Sequence, residues 1–239
     1  MTTESAGIAP DHTEPTLAED LLLLFQPGAG VSGTGAIAGE GTLFYALAGA
    51  LVTELALDAR VQPQGGGDRF AKVEAVVGHR PADALLRRAW DYVAEKPRGV
   101  QTVLAAIGPT LREPVLERVV ARGDIRRGTR RALGLFETTV LEGDGGERRA
   151  RLIAEVRAVL VDGVEPSPRV AALAALLSGS GTLPQFDQEI PWGSAVVTRA
   201  KQLEQGDWGA GAAAEAVART VAATVVNSVI VAMAVSPRG

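Results

Sequence analysis

Apolar residues recur at helical spacing along most of this chain, and the pattern predicts a mainly α-helical protein. Thr16 and Glu19 have the spacing of a capping box, in which a hydroxyl and a carboxylate bind backbone N–H groups that the first helical turn leaves open, and LLLLF follows at 21–25. The segment 43–57, LFYALAGALVTELAL, is apolar nearly all round and carries one acid, Glu54. Such a helix is expected inside a bundle.

The same pattern predicts further helices at 81–95, 99–108, 111–122, 147–161, 169–177, 196–205 and 212–235. Pro81 marks the start of the first of these, and a second capping box, Thr110 with Glu113, marks the start of the third. The last helix is the most apolar. We interpret it as a core helix, because a membrane span usually needs a longer uncharged run.

Extended structure is predicted in two places. AKVEAVVG at 71–78 alternates apolar and polar residues and predicts a short strand, after a loop at 61–70. RALGLFETTVLEGDGGE at 131–147 predicts a β-hairpin, since an apolar arm and β-branched residues lead into a glycine-rich turn. The predicted fold class is therefore mainly α, a helical bundle with a central apolar helix core and one hydrophobic β-hairpin.

The composition fits one domain preceded by a short arm. The 239 residues are 46% hydrophobic but only 4% aromatic, which favours closely packed helices over an aromatic-rich sandwich. Residues 1–15 combine Pro, Thr, Ser and acids and have little to bury, so we expect a disordered N-terminal arm. Residues 16–239 are then expected to form a single helical domain.

The charge and the cysteine count exclude several classes of function. The formal net charge of -4 gives no global reason to bind nucleic acid. The chain has no Cys, which excludes disulfides, thiolate metal sites and cysteine nucleophiles. The stretch MTTESAGIAPDHTEPT lacks the basic and then apolar run of a secretory signal, so we expect a cytoplasmic protein.

A glycine-rich stretch at 28–41 contains Gly28, Gly30 and Gly33 in the spacing of a dinucleotide-binding loop. Such a loop needs a strand before it and a helix directly after it, whose free N–H groups meet the pyrophosphate. Here a capped helix precedes the stretch, and the next helix begins only at 43. We therefore interpret it as a surface loop, whose role the sequence leaves open.

No constellation of residues predicts an active site. The two histidines, His12 and His79, have no partner at metal or triad spacing. We expect no catalytic residue, no metal and no cofactor, and hence a protein that is not an enzyme. The alternative is an enzyme with a small-molecule pocket in the glycine-rich region.

Arginine is concentrated in one segment. Between 118 and 131 the chain has six arginines and one acid, Asp124, a local excess of +5 in a protein whose total charge is negative. Guanidinium groups beside an apolar tip suit an anionic membrane, because the charges meet headgroups while the apolar side chains enter the interface. The candidate residues are Arg118, Arg122, Arg126, Arg127, Arg130 and Arg131, with Leu133, Leu135 and Phe136 at the tip. The same residues also fit a solvated basic helix end with a hairpin packed on its own domain or on a sister subunit.

Several segments occur in an informative order. The most specific are ELAL with DARV at 54–61 and ERVVARGDI at 117–125, and TLAEDLLLLF, PADALLRRAWDYV and LGLF add to them. Together, over roughly residues 16–235, they resemble the Golgi phosphoprotein family, in particular its bacterial branch.

This resemblance implies a mainly helical domain with one hydrophobic hairpin and no catalytic activity. Eukaryotic relatives bind phosphatidylinositol 4-phosphate on Golgi membranes and act as adaptors for the cytoplasmic tails of glycosyltransferases. Of the family's headgroup positions, Arg112 is matched here, while the others are Gly39, Ala48 and Pro109. The family's apolar hairpin arm, matched by LGLF at 133–136, is implicated in membrane insertion and self-association.

We therefore expect a peripheral membrane protein on the cytoplasmic face of a membrane, which binds anionic phospholipid headgroups through Arg112 and the arginines of 118–131. The resemblance implies phosphatidylinositol 4-phosphate as the headgroup and a non-catalytic adaptor role toward protein clients. The alternative is a soluble protein-binding scaffold, which self-associates into a homo-oligomer through the hairpin and has no lipid role.

Overall fold

The computed structural model describes residues 14–26, 41–64, 72–132, 136–143, 145–206, 208 and 211–235. The fold is mainly α-helical, as predicted. The helices are α1 (Leu17–Leu24), α2 (Leu43–Leu57), α3 (Ala84–Ala94), α4 (Val100–Ile107), α5 (Arg112–Ala121), α6 (Gly146–Leu160), α7 (Pro168–Gly179), α8 (Ser194–Glu204) and α9 (Ala212–Val235). The strands are β1 (Val61–Gln64), β2 (Lys72–Ala75), β3 (Arg98–Gly99), β4 (Arg126–Ala132) and β5 (Phe136–Glu142).

Two helices form the centre of the bundle. Every residue of α1 is buried, and α2 packs against α1, α3, α4, α7 and α9. Gly49 of α2 lets α9 approach closely, because a Cβ at this position would lie 2.9 Å from Val221 Cγ1. Val221 and Val225 are buried on the inner side of α9, while Ile230 is exposed on its outer side. The interpretation of α9 as a core helix is confirmed for the side that faces α2.

The capping box at the start of α1 is confirmed. Thr16 Oγ1 accepts a hydrogen bond from Glu19 N at 3.2 Å, and Glu19 Oε2 accepts one from Thr16 N at 2.9 Å. The N-terminal arm predicted at 1–15 lies outside the described residues except for Glu14 and Pro15, and the glycine-rich stretch at 28–41 lies outside them except for Gly41.

The second predicted capping box is wrong. α5 begins at Arg112 after Leu111, and no side chain caps it. Thr110 lies instead in a short 3-10 turn, Gly108–Thr110, where its hydroxyl donates to the carbonyl O of Ile107 at 3.0 Å. The hydroxyl is therefore used by the turn that joins α4 to α5.

The start of α3 also differs from the prediction. The helix begins at Ala84 and not at Pro81, because the Asp83 carboxylate caps it. Asp83 Oδ1 accepts hydrogen bonds from the N–H groups of Leu85 and Leu86 at 2.7 and 3.1 Å. An aspartate at this position satisfies donors that the first turn cannot pair internally.

The first part of the loop predicted at 61–70 is a strand. β1 pairs antiparallel with β2, with Val61 opposite Ala75, and β3 completes a small three-stranded sheet in the order β1-β2-β3. Pro63 is tolerated within β1 because this strand lies at the edge of the sheet, where a missing N–H breaks no ladder on its outer side.

The predicted hairpin is present, but its first strand begins at Arg126 and not at Arg131. β4 pairs antiparallel with β5, from Arg126 opposite Glu142 to Ala132 opposite Phe136. The glycine-rich segment after β5 leads into α6 and does not join the two strands. Leu141 packs on the core near the base of the hairpin. Among the described elements, no helix or other strand packs extensively against β4 or β5, so the hairpin projects from the bundle.

Replacing Gly108 by alanine is expected to destabilise the protein by about 1–3 kcal/mol, the usual cost of overpacking. A Cβ at Gly108 would lie 2.7 Å from the backbone O of Phe44, an atom of α2 that cannot move without shifting the helix. Urea unfolding followed by circular dichroism measures the change. Gly41→Ala is the control, because a Cβ there meets nothing within 4 Å. Equal stability of the two variants would contradict the prediction.

Candidate functional site

Arg118 and Arg122 lie against a buried acid of α1. Arg122 Nε donates to Glu19 Oε1 at 2.7 Å, and Arg122 Nη2 donates to the carbonyl O of Glu14 at 3.2 Å. Arg118 Nη1 lies 2.6 Å from Asp83 Oδ2 and 3.6 Å from Glu19 Oε2. The two arginine side chains are only 16% and 24% exposed. Both guanidinium groups are therefore engaged with acids of the bundle.

The carboxylates that these arginines contact favour the ionised form. Burial alone would raise the pKa of Glu19, but the Thr16 backbone N–H and the Arg122 guanidinium outweigh burial and lower it. The same balance lowers the pKa of Asp83, where burial is opposed by Arg118 and by the N–H groups of α3. Charge-assisted hydrogen bonds of this kind favour the charged form of a carboxyl.

Asp20 binds two arginines from different helices. Arg148 of α6 donates from Nη2 to Asp20 Oδ1 at 2.6 Å, and Arg169 of α7 donates from Nη2 to Asp20 Oδ2 at 2.6 Å. Arg148 Nη1 also donates to Asp124 Oδ2, and Arg169 Nη1 donates to Glu54 Oε1 at 3.4 Å. The network thus joins α1, α2, α6 and α7 to the segment that precedes β4.

Burial outweighs the favourable contacts of Glu54, the acid that α2 contributes to this network. Burial raises its pKa to about 7, although the Leu17 N–H donates to its Oε2 at 2.9 Å and Arg169 lies nearby. Among the described residues, the acids of the network exceed its arginines by one, since Glu19, Asp20, Glu54, Asp83 and Asp124 contact Arg118, Arg122, Arg148 and Arg169. When all five acids are ionised, the network therefore has one negative charge more than it has positive charges.

Arg126 and Arg127 of the hairpin are less enclosed than Arg118 and Arg122. Arg126 is exposed, and Arg127 contacts Glu113 of α5 while its side chain stays 40% exposed. Arg130 and Arg131 belong to β4, opposite Thr138 and Glu137 of β5.

The predicted tip is only partly covered by the structure. Leu133 and Leu135 lie outside the described residues. Phe136 is the first residue of β5, and it pairs with Ala132 at the last register position of the hairpin.

Arg112 lies at the same end of the molecule as the base of the hairpin. It is the first residue of α5 and half-buried, and the residue after it, Glu113, contacts Arg127 of β4. The resemblance places two further headgroup positions at Ala48 and Pro109, and neither residue supplies a cation. Ala48 is buried in α2, and Pro109 is exposed in the 3-10 turn before α5.

A groove of about 640 Å³ opens beside the start of α6. Arg122, Arg148 and Arg151 line it together with two acids, Asp124 and Glu147. The opposite charges leave its wall polar, with only a small positive excess.

Two further observations concern metal binding and the most apolar helix. In the part of the chain that the structure describes, no group of three or more His, Asp or Glu side chains could hold a metal ion. By length and composition alone, α9 could cross a membrane over Ala212–Ile230, with 39% of the window buried inside the protein.

The acids of the network are the residues that the sequence analysis missed. Glu19 was predicted only as part of a capping box, and Glu54 only as the single acid of an apolar helix. A lone carboxylate in such a helix needs a buried cation or a hydrogen-bond donor, so Glu54 was the available indication that an arginine would reach the core.

A model of the Golgi phosphoprotein 3 (GPP34) family matches residues 17–220, which is most of the chain. No curated protein matches the sequence.

Proposed function

We propose that this chain, which belongs to the Golgi phosphoprotein 3 (GPP34) family, is a peripheral membrane protein that binds anionic phospholipid and acts as a non-catalytic adaptor. The observation that carries the proposal is the projecting hairpin. Its first strand, β4, contains four arginines among its seven residues.

The hairpin combines the two features that hold a protein at a membrane surface. Its basic strand brings positive charge close to headgroups, and each basic residue near an anionic leaflet is worth about 1 kcal/mol. The connection LGL at 133–135 and Phe136 supply apolar side chains in the same stretch of sequence. Charge and apolar residues together give reversible docking, without the permanence of a membrane span.

Arg112 supports a phosphate contact near the base of this hairpin. It begins α5, where the first N–H groups of a helix and a guanidinium can both bind a phosphate oxygen. Ala48 and Pro109 supply no guanidinium at the neighbouring family positions. We therefore propose recognition of anionic phospholipid by charge, with phosphatidylinositol 4-phosphate as one headgroup to be tested.

We assign Arg118 and Arg122 a structural role in this proposal. Their guanidinium groups already bind Glu19 and Asp83, and a headgroup would have to break those contacts. The arginines proposed to meet lipid are Arg112 at the start of α5 and those of β4, among which Arg126 and Arg127 are exposed.

Removing Arg126 and Arg127 together is expected to weaken binding to anionic vesicles, by about fivefold for each arginine at about 1 kcal/mol apiece. Arg112→Ala, which removes the guanidinium at the start of α5, is expected to weaken it as well. Co-sedimentation with phosphatidylcholine vesicles, with and without phosphatidylglycerol or phosphatidylinositol 4-phosphate, measures the effect across a salt series. Binding should decrease with added salt, because salt screens exposed charges.

Arg219→Ala is the matched control, since Arg219 is exposed on α9, a helix that packs against α2, α7 and α8. This variant loses one positive charge, as Arg112→Ala does, and should bind like the wild type. Equal sedimentation with neutral and anionic vesicles, or none with either, would refute the proposal. If light scattering then showed an oligomer that Phe136→Ser dissociates, the hairpin would be a contact between copies of the chain.

A further inference from the structure

Both ends of the hairpin are tied to α1 through one guanidinium group. From this contact we infer that Arg148 and Asp124 form a clamp that sets the orientation of the hairpin on the bundle. Arg148 is thus a positioning residue, distinct from the arginines proposed to meet lipid.

The clamp closes the base of the hairpin from both sides. Asp124 lies two residues before β4, and Arg148 lies in the first turn of α6, which follows β5. Arg148 Nη1 donates to Asp124 Oδ2, and both side chains are only 13% exposed. The segment that precedes β4 is therefore bonded directly to the segment that follows β5.

The same guanidinium anchors this closed base to the core. Arg148 Nη2 and Nε donate to Asp20 Oδ1 at 2.6 and 3.2 Å, and Asp20 belongs to the fully buried α1. Arg122, at the end of α5, binds Glu19 of α1 at 2.7 Å and adds a second tie on the entering side. Rotation of the hairpin about its base would separate these charged pairs.

The exit from the hairpin is equally constrained. Gly145 is buried with φ of +78°, and a Cβ there would lie 2.6 Å from Arg149 Cβ and 2.8 Å from Leu23 Cδ1. Only glycine fits both this backbone conformation and this space. The chain therefore turns tightly into α6 and brings Arg148 to Asp124.

A clamp is needed because few other contacts with the bundle fix the orientation of the hairpin. A two-stranded hairpin is marginal without packing, and β4 and β5 pair mainly with one another. The relevance to membranes rests on the proposed function, since a fixed hairpin holds Arg126 and Arg127 in one orientation relative to Arg112. The clamp itself does not rest on that function.

Asp124→Asn tests the clamp against simple electrostatics. The substitution removes a negative charge near the basic strand, so charge alone predicts equal or tighter binding to phosphatidylglycerol vesicles. The clamp predicts weaker binding than the wild type. It also predicts about tenfold faster hydrogen exchange of the β4 and β5 amides, the effect of losing one charge-assisted hydrogen bond. Exchange in α2 and α9 should stay unchanged.

Glu147→Gln is the matched control, because Glu147 lies in the same groove, is exposed and carries the same charge. This variant should exchange like the wild type and bind vesicles at least as well. Asp124→Glu, which keeps a carboxylate, should restore part of the protection.

The outcomes separate the clamp from the lipid proposal. Unchanged hairpin exchange in Asp124→Asn, or a change equal to that of Glu147→Gln, overturns the clamp. Faster exchange with unchanged vesicle binding supports the clamp and removes its link to membranes. If the wild type does not bind vesicles, the hydrogen exchange of Asp124→Asn compared with that of Glu147→Gln still decides whether the clamp exists.

Discussion

Replacing Glu19 by glutamine is expected to lower the free energy of unfolding by about 3–5 kcal/mol, the cost of breaking a buried ion pair by removing one partner. Glu19 is fully buried, and its carboxylate accepts hydrogen bonds from the Thr16 N–H, the Thr16 hydroxyl and Arg122. Glutamine keeps one oxygen but carries no charge, so the Arg122 guanidinium loses its ionic partner. Urea unfolding at neutral pH, followed by circular dichroism, measures the loss.

Asp162→Asn is the control for this prediction. Asp162 pairs with Arg157 at 3.0 Å, and both side chains are more than 40% exposed. Exposed pairs contribute less than about 1 kcal/mol, because water and salt screen them. A loss at Glu19 no larger than the loss at Asp162 would show that α1 does not depend on its buried charge.

The second large effect is a pH dependence that Glu54 imposes on stability. Its pKa is about 7 in the folded protein against 4.5 for an ordinary glutamate. The contribution of this raised pKa is therefore fully present below pH 4.5 and is lost as the pH rises to 7. At about 1.4 kcal/mol per pKa unit, the loss amounts to about 3 kcal/mol.

Glu54→Gln isolates this contribution. Glutamine can still accept a hydrogen bond from the Leu17 N–H but does not titrate. The unfolding free energy of the wild type minus that of the variant should therefore decrease as the pH rises from 4.5 to 7.5. The charged groups that face Glu54 are Arg169 of α7 and Asp58 at the end of its own helix. Urea unfolding at several pH values measures the difference, and two parallel stability curves would rule the effect out.

Glu19 has the opposite dependence. Its pKa is lowered, so its contribution is present above the ordinary glutamate value and is lost as the pH falls through the lowered one. The two acids lie on neighbouring helices, α1 and α2, and differ in their partners. Glu19 has Arg122 at 2.7 Å, whereas the nearest arginine contact of Glu54 is at 3.4 Å.

The helices could be predicted from the sequence because their own residues specify them. The period of apolar positions gave α2 and α9 with their observed bounds, and the Thr16–Glu19 capping box gave the start of α1. β4 could not be predicted in the same way. Its sequence, RRGTRRA, has neither the alternation nor the β-branched content of a strand. It is extended because FETTVLE pairs with it.

The site was predicted only in part, for a similar reason. The sequence shows a run of arginines but not which of them meet acids in the fold. Arg148 and Asp20 are 128 residues apart, and Arg122 and Glu19 are 103 apart, so no local pattern links them. The structure therefore distinguishes inward arginines such as Arg122 from Arg126, which stays exposed.

The burial of α1 has a consequence for synthesis of the protein. Eight residues are too few for a helix that is stable alone in water, and Pro15, just before α1, is held by Arg169, 154 residues further along the chain. α1 also contacts α2 and α5, which are synthesised before α7, so these helices can cover part of its leucine surface first. Its contacts with α7 can form only after the ribosome has made that helix, and we expect the docking of α1 to be completed late in folding.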